Sequence, residues 1–200
     1  MNLITIKRVY YNNKQKQKMI QDNSKKEVLI IGGTGMLMKA SHYFLQQYGQ
    51  VHLLARNKQK LEETIRSCPN IKASYNLHCI DYSNSSSILN GLKNINHLDM
   101  IISWVHSNGL QNKLALFKHF QSQNSNLQIY DILGSASYNP SEQLEQSDFE
   151  IQKIVLGFKI EKGQSRWLTH DEISQGCIEA IKLSFPVYII GETEPWNRRP

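Results

Sequence analysis

Cysteine is scarce in this chain. Cys68, Cys79 and Cys177 are odd in number and far apart, which excludes a disulfide framework and any closely spaced thiolate metal motif. They read as buried thiols of a reducing compartment, and no metal centre is expected. Long apolar runs are missing as well. A stretch such as Met100 to Val105 falls far short of the roughly 20 residues a bilayer-crossing helix needs. The start of the chain is rich in Lys, Asn and Gln, without an apolar signal region, so the expected location is the cytoplasm, with no membrane partner. Excess charge is absent from the body. Residues 1–26 hold seven basic side chains against one acid, while the remainder carries sixteen of each, so the net +6 resides in the extension. Such an arm is able to touch nucleic acid or acidic lipid. A flexible solubilising extension is the preferred reading, nucleic acid is not expected as a partner, and Met19 offers an alternative start.

What is present is an alternation. The apolar strand Val28-Leu29-Ile30-Ile31 runs into Gly32-Gly33-Thr34-Gly35. Met36 to Tyr48 has helical spacing and stops at Gly49. Val51 to Leu54 is a second strand, Lys58 to Ser67 a helix closed by Cys68-Pro69, and Asn76 to Asp81 a third strand. A weaker helix over Ser83 to Leu92 precedes the apolar strand "LDMIISWV", which ends near Trp104. Gly109 to Phe120 is helical and Leu127 to Leu133 is strand five. "KIVLGFKIE", "SRWLTHDEISQGCIEAIKLS" and "PVYIIG" complete the chain, with Thr169 and Glu172 as a capping box for the last helix. No internal repeat interrupts the pattern. Short buried strands separated by helices predict an α/β fold: one doubly wound parallel sheet with helices on both faces, over residues 27–200. Ligands of such a sheet sit at the carboxyl ends of its strands, so the residues after each strand are the candidates.

After strand one, glycines permit a tight turn and let backbone N–H groups approach a phosphate at a helix N-terminus. Gly32, Gly33 and Gly35 meet that need, with Thr34 as a further donor and Met36 opening the helix. Together with "HLLARN", "CIDYS" and "LGSAS", the stretch "VLIIGGTGML" resembles the short-chain dehydrogenase/reductase superfamily, and most of all its atypical members with a Gly-Gly-Thr-Gly turn. The resemblance covers about residues 27–191 and implies a nicotinamide dinucleotide as cofactor and a homodimer. One departure is Met38, which stands where the family has the last glycine of the turn. Where NAD-specific sites place an acid, this chain has Ala55, Arg56 and Asn57, followed by Lys58. A guanidinium in place of a carboxylate suits a 2′-phosphate, so NADP(H) is expected in preference to NAD(H). Asp81 and Tyr82 match the family position for adenine contact, although Asp81 reads equally well as a helix cap.

The catalytic half departs from the family. Strand four ends in "SWVHSNG", where Ser103 and Trp104 are expected to line the cofactor and His106 is a candidate proton carrier. Ser135 and Ser137 match the family's carbonyl-binding serine, with Ser135 preferred because it is nearer the strand end. The family's tyrosine and lysine four residues on are missing: Tyr10 and Lys14 are a chance match in the extension, and Phe149 and Lys153 stand at the expected place. Tyr138 is a candidate substitute. Asp171 and Glu172 suit the first turn of the last helix, so they, with Ser165, Arg166 and His170, read as structural. Two functions remain. One is an NADP(H)-dependent oxidoreductase acting on a small carbonyl or alcohol through a non-standard proton donor, with Ser135, His106 and Tyr138 as catalytic candidates. The other is a non-catalytic NADP(H)-sensing regulatory protein that signals to a partner. Polar loops after strands four and five favour the enzyme.

Overall fold

The computed structural model describes residues 22–82, 85–105, 109–137 and 150–200, without the side chains of 85–87. Seven parallel strands form the sheet, in the order β3-β2-β1-β4-β5-β6-β9. They are β1 (Glu27–Ile31), β2 (Gln50–Ala55), β3 (Ser74–Cys79), β4 (Met100–Ser103), β5 (Gln128–Gly134), β6 (Ile151–Leu156) and β9 (Val187–Ile190). The helices are α1 (Met38–Gln47), α2 (Lys58–Arg66), α3 (Ser85–Leu92), α4 (Leu110–Gln123) and α5 (His170–Leu183). The chain builds outward from β1 to β3 on one side, then returns to lay β4 against β1 and builds outward the other way. The switch point therefore lies between β1 and β4.

The central strands β1, β2 and β4 bury both faces, which is why β1 reads as an unbroken apolar run, whereas the edge strand β3 is largely exposed. One face packs Val28, Ile30, Leu53 and Ile102 under Phe44 and Leu45 of α1, Leu61 of α2 and Ile173 and Cys177 of α5. The other packs Leu29, Ile31, Ile101 and Ile129 under Ile88 of α3 and Leu116, Phe117 and Phe120 of α4. Local chemistry sets the helix limits. The Asn57 side chain accepts from Lys60 N to start α2. Thr169 and Glu172 form the reciprocal capping box of α5, and that helix ends at Ser184 in the left-handed region, two residues before Pro186.

Three boundaries differ from expectation. Residues 23–26, counted above with the extension, fold against the domain: Asn23–Lys25 is a 3₁₀ turn capped by Asp22, and the carbonyls of Asn23 and Lys26 accept from Gly49 N. The parallel register Gln50↔Ser74 to Ala55↔Cys79 draws the third strand two residues earlier than Asn76–Asp81 and leaves Asp81 beyond its end. "KIVLGFKIE" is not one strand. Gly157, against Glu192 O, breaks it, and β7 (Phe158–Glu161) pairs antiparallel with β8 (Gln164–Trp167). The two-residue Lys162-Gly163 loop has positive φ at both positions, as a tight hairpin requires. Part of the stretch assigned to the closing helix is thus β8. Among the described residues, no helix is long and apolar enough to cross a membrane.

Candidate functional site

The glycine turn sits at the switch point. Gly32 N donates to Leu54 O of β2, and Trp104 N donates to Ile31 O across β4. Gly32 has φ +74, and a Cβ there would overlap the Trp104 carbonyl, so the close passage of the two chains demands glycine. Ser41 Oγ of α1 donates to Gly33 O at 2.6 Å. Gly35, with φ +63, has nothing within 4 Å of where its Cβ would stand. The N–H groups of Gly33, Thr34 and Gly35 donate to no other backbone group among the described residues, and the Thr34 side chain caps nothing. A short 3₁₀ turn, Gly35–Leu37, then leads into α1. Ser174 of α5 braces it by donating to Met36 O at 2.8 Å, so Met36 contributes its backbone. Met38 opens α1 and directs its sulfur toward Ser67 Oγ, 3.8 Å away, and its bulk is accommodated away from the turn.

At the ends of β2 and β3, the Arg56 guanidinium lies over the Tyr82 ring, 5.0 Å from its centroid. Tyr82 is buried, with Gly109 against its ring, and Asn112 Nδ2 donates to its carbonyl at 3.0 Å. The ring is therefore a platform under Arg56. Asn57 is occupied as the α2 cap. Asp81 is exposed at the end of β3. Trp104 is half-buried beside Gly32.

The ends of β4 and β5 hold buried polar groups. Ser103 is 0% exposed and Ser135, in the turn after β5, is 5% exposed; neither hydroxyl has a partner among the described residues. Ser137 is exposed, so Ser135 is the serine held inside. Sequence reasoning missed a third feature. Lys113 of α4 donates to Asp131 of β5 at 2.6 Å, with side-chain exposures of 3% and 10%. Burial pushes the Asp131 carboxyl above its ordinary range, while Lys113 and, more weakly, Lys153 pull it back. The signal was available: Lys113 occupies the core register of α4 with Leu116, Phe117 and Phe120, and Asp131 interrupts an otherwise apolar strand.

His106, Tyr138 and Phe149 lie outside the described residues. Lys153 stands in β6, so the count that aligned it with a helix-borne lysine lands on a strand instead. Arg166 bridges Glu161 and Glu172, and Asp171 pairs with Lys39 at 2.7 Å; these are the structural roles expected of them. Among the described residues, no group of three His, Cys, Asp or Glu side chains is placed to hold a metal ion.

This sheet order, with a glycine turn at the switch point, is the fold of the short-chain dehydrogenases. A short-chain dehydrogenase from Bacillus anthracis superposes with a TM-score of 0.62 at 15% identity, over 85% of this chain and 96% of that one. Serine dehydrogenase from Escherichia coli gives 0.58 at 13%, over 82% and 96%. NAD⁺-bound xylitol dehydrogenase gives 0.57 at 11%, over 70% and 72%. No protein-family model matches the sequence, and no curated protein does.

A dinucleotide fits the residues present. The turn at Gly33–Gly35 offers N–H donors with open space at Gly35, and Arg56 is exposed beside a residue run, Ala55 to Lys58, that contains no acid.

Proposed function

We propose that the protein is an NADP(H)-dependent oxidoreductase acting on a small carbonyl or alcohol. The observation that carries this reading is the glycine turn at the β1/β4 switch point, with Arg56 fixed on Tyr82 at the neighbouring strand end. Gly33, Thr34 and Gly35 would hold the pyrophosphate through their N–H groups and the positive end of the helix that follows. Arg56 would pair with the 2′-phosphate, and Trp104 would wall the nicotinamide end. The nucleotide, when bound, supplies or accepts the hydride. Ser135 Oγ, buried and unpartnered, would donate to the substrate carbonyl oxygen. The free thiols suit a cytoplasmic setting, and the resemblance implies a homodimer. Residues 1–21 serve on this reading as a basic solubilising extension, not as a nucleic-acid arm.

A second reading, a non-catalytic NADP(H) sensor, is favoured by one observation. Lys153, at the place where the resemblance expects a helix-borne lysine, stands in the strand β6. Calorimetric titration with NADPH and NADH, then a carbonyl-substrate screen on the same sample, separates the two. Preferential NADPH binding with turnover supports the enzyme, and binding without turnover supports the sensor. No binding of either nucleotide overturns both.

A further inference from the structure

Glu27, His52 and His78 lie on one face of β1, β2 and β3. His52 is the register partner of Leu29 and His78 that of Leu54, and both leucines belong to the apolar layer that Ile88 of α3 helps to form. Two short contacts join the three side chains. His52 Nε2 is 2.6 Å from Glu27 Oε1, and His52 Nδ1 is 3.0 Å from His78 Nε2. His52 is buried and Glu27 partly so. His78 also has a backbone hydrogen bond to Gly91 of α3, and it favours the protonated ring. The acceptor is therefore the Gly91 carbonyl, and the donor is Nδ1, the nitrogen that His52 leaves free.

The protons of this row can be counted. A carbonyl only accepts, so His78 Nδ1 carries a proton. In a neutral ring His78 Nε2 is then bare, and His52 Nδ1 must donate to it. A neutral His52 has no second proton, yet its Nε2 faces a carboxylate oxygen, which also only accepts. Two neutral imidazoles thus bring two protons to three contacts, and a third sits between His52 and Glu27. With that proton the row has no net charge, the state that burial favours. A fourth proton has one place to go, the bare Nε2 of His78. There it sets two N–H donors head to head against His52 and adds a charge that no acid facing His78 offsets among the described residues. Over His78, α3 (Ser85–Leu92) contains no acidic or basic residue, and Lys93 beyond it is exposed. Tyr75 and Cys79 of β3 point to the opposite face. Asp99 lies on the far side of Glu27, accepting from Glu27 N at 2.8 Å, with His97 3.3 Å away from it.

We propose that Glu27, His52 and His78 form an acid-operated latch on the edge of the sheet: with three protons the row holds β3 and the end of α3 to β2, and a fourth, taken from solvent by His78, releases them while the central strands stay folded. Burial, then the neighbouring His52, already holds His78 below its ordinary value of 6.5. The closed form therefore has its full stability above that value and loses it as pH falls below. β3 suits release. It is the edge strand, paired on one side and largely exposed, and segments with few buried contacts open first. The strand ends at Cys79, whose thiol donates to Arg56 O at 3.5 Å, so the latch acts on the strand end beside Arg56. It stands independently of the oxidoreductase reading.

Hydrogen exchange of the full chain, corrected for intrinsic rates, tests the latch at pH 7.5 and pH 5.5, with and without a low concentration of urea. Protection of the amides of residues 75–80 is expected to fall by about tenfold over that range, the limit for one proton whose open-state value is 6.5. It should respond little to urea, because local opening exposes little surface. His78→Gln keeps an oxygen to accept from His52 and an amide to donate to Gly91 O, but takes up no proton, so the loss should disappear in that variant. An equal loss in His78→Gln, or protection independent of pH in the wild type, overturns the proposal. So does exchange at residues 75–80 that rises with urea in step with β1, because the proton then shifts global unfolding alone. Should His78→Gln fail to fold, nitrogen NMR of the wild-type imidazoles decides. At pH 7.5 His78 Nε2 should be the one bare nitrogen of the two rings, and a proton on it at that pH overturns the latch.

Discussion

Replacing Gly35 with alanine separates what the turn does for the fold from what it does for a ligand. At Gly35 a methyl group meets no atom within 4 Å, and the only cost is the positive φ of +63. Holding alanine there costs about 1–2 kcal/mol. In a domain of this size each kcal/mol lowers the melting temperature by about 2–4 °C, so a fall of roughly 2–8 °C is expected. The protein should otherwise remain folded. The methyl stands where the free N–H groups of the turn would receive phosphate, so NADPH affinity should fall at least about 100-fold, equivalent to about 2.7 kcal/mol. Gly32→Ala behaves differently. Its Cβ would overlap the Trp104 carbonyl, so the end of β4 must move, and destabilisation reaches about 4 kcal/mol or more. Thermal melts followed by calorimetric titration at matched fractions folded distinguish the two. A Gly35→Ala protein that binds NADPH as tightly as wild type would refute the phosphate role of the turn. One that melts no higher than Gly32→Ala would refute the steric reasoning.

Arg56→Ala removes the guanidinium fixed on Tyr82; a charge-assisted bond is worth about 1.5–3 kcal/mol, so NADPH should bind roughly 10- to 150-fold more weakly while NADH is unchanged, as paired titrations will show. Glu172→Ala removes the capping box and the Arg166 and Lys159 pairs, and the cap alone, at about 1 kcal/mol, lowers the melting temperature at pH 7 by about 2–4 °C. Arg166, then Lys159, hold the Glu172 carboxyl below its usual value of 4.5, so that contribution is present above this value and is lost as pH falls through the lowered one; the gap between variant and wild type should close in acid melts. Burial, reinforced by His52, lowers the His78 imidazole below 6.5, so the unfolded chain binds the proton first and stability should fall as pH drops below about 6.5. Denaturant titrations of His78→Gln and wild type at pH 8 and pH 5.5 check this, and an equal loss in both removes His78 as the cause.

The fold was legible in the sequence because its central strands are buried on both faces and its helices carry local stop and start signals. Val28 to Ile31, the Gly32–Gly35 turn and the Thr169–Glu172 box need only neighbours in the chain to be read. The misreadings came where distant contacts decide. Parallel pairing with β2, not the local pattern, places β3 at Ser74–Cys79. Glu192 O against Gly157 breaks the strand that composition joins, while the Lys162-Gly163 hairpin signal was there to be read and was passed over. Arg56 stands out in the sequence as a cation where an acid is usual, but its seat on Tyr82, 26 residues later, does not, because nothing in the spacing of the two announces the contact. The loops after β4 and β5 were read least. A family pattern was sought at fixed offsets, and Lys153, at the offset, lies in a strand.

Lys113 and Asp131 show what sharper reading of such a chain requires. Each alone looks like an error: a lysine in the core register of a helix, and an aspartate in an apolar strand. An unpaired charge at either place costs several kcal/mol, so the two exceptions compensate one another, and their opposite signs on consecutive elements are themselves a contact signal. Compensation explains why the fold tolerates the pair, but not why apolar residues do not stand there instead, since these would pack the same space at no greater cost. The position supplies the reason. Asp131 is the register partner of Ser103, itself the partner of Ile31 just before Gly32, and Asp131 Oδ1 and the buried Ser103 hydroxyl have no partner among the described residues; groups that break local rules while remaining polar gather where a fold does chemistry.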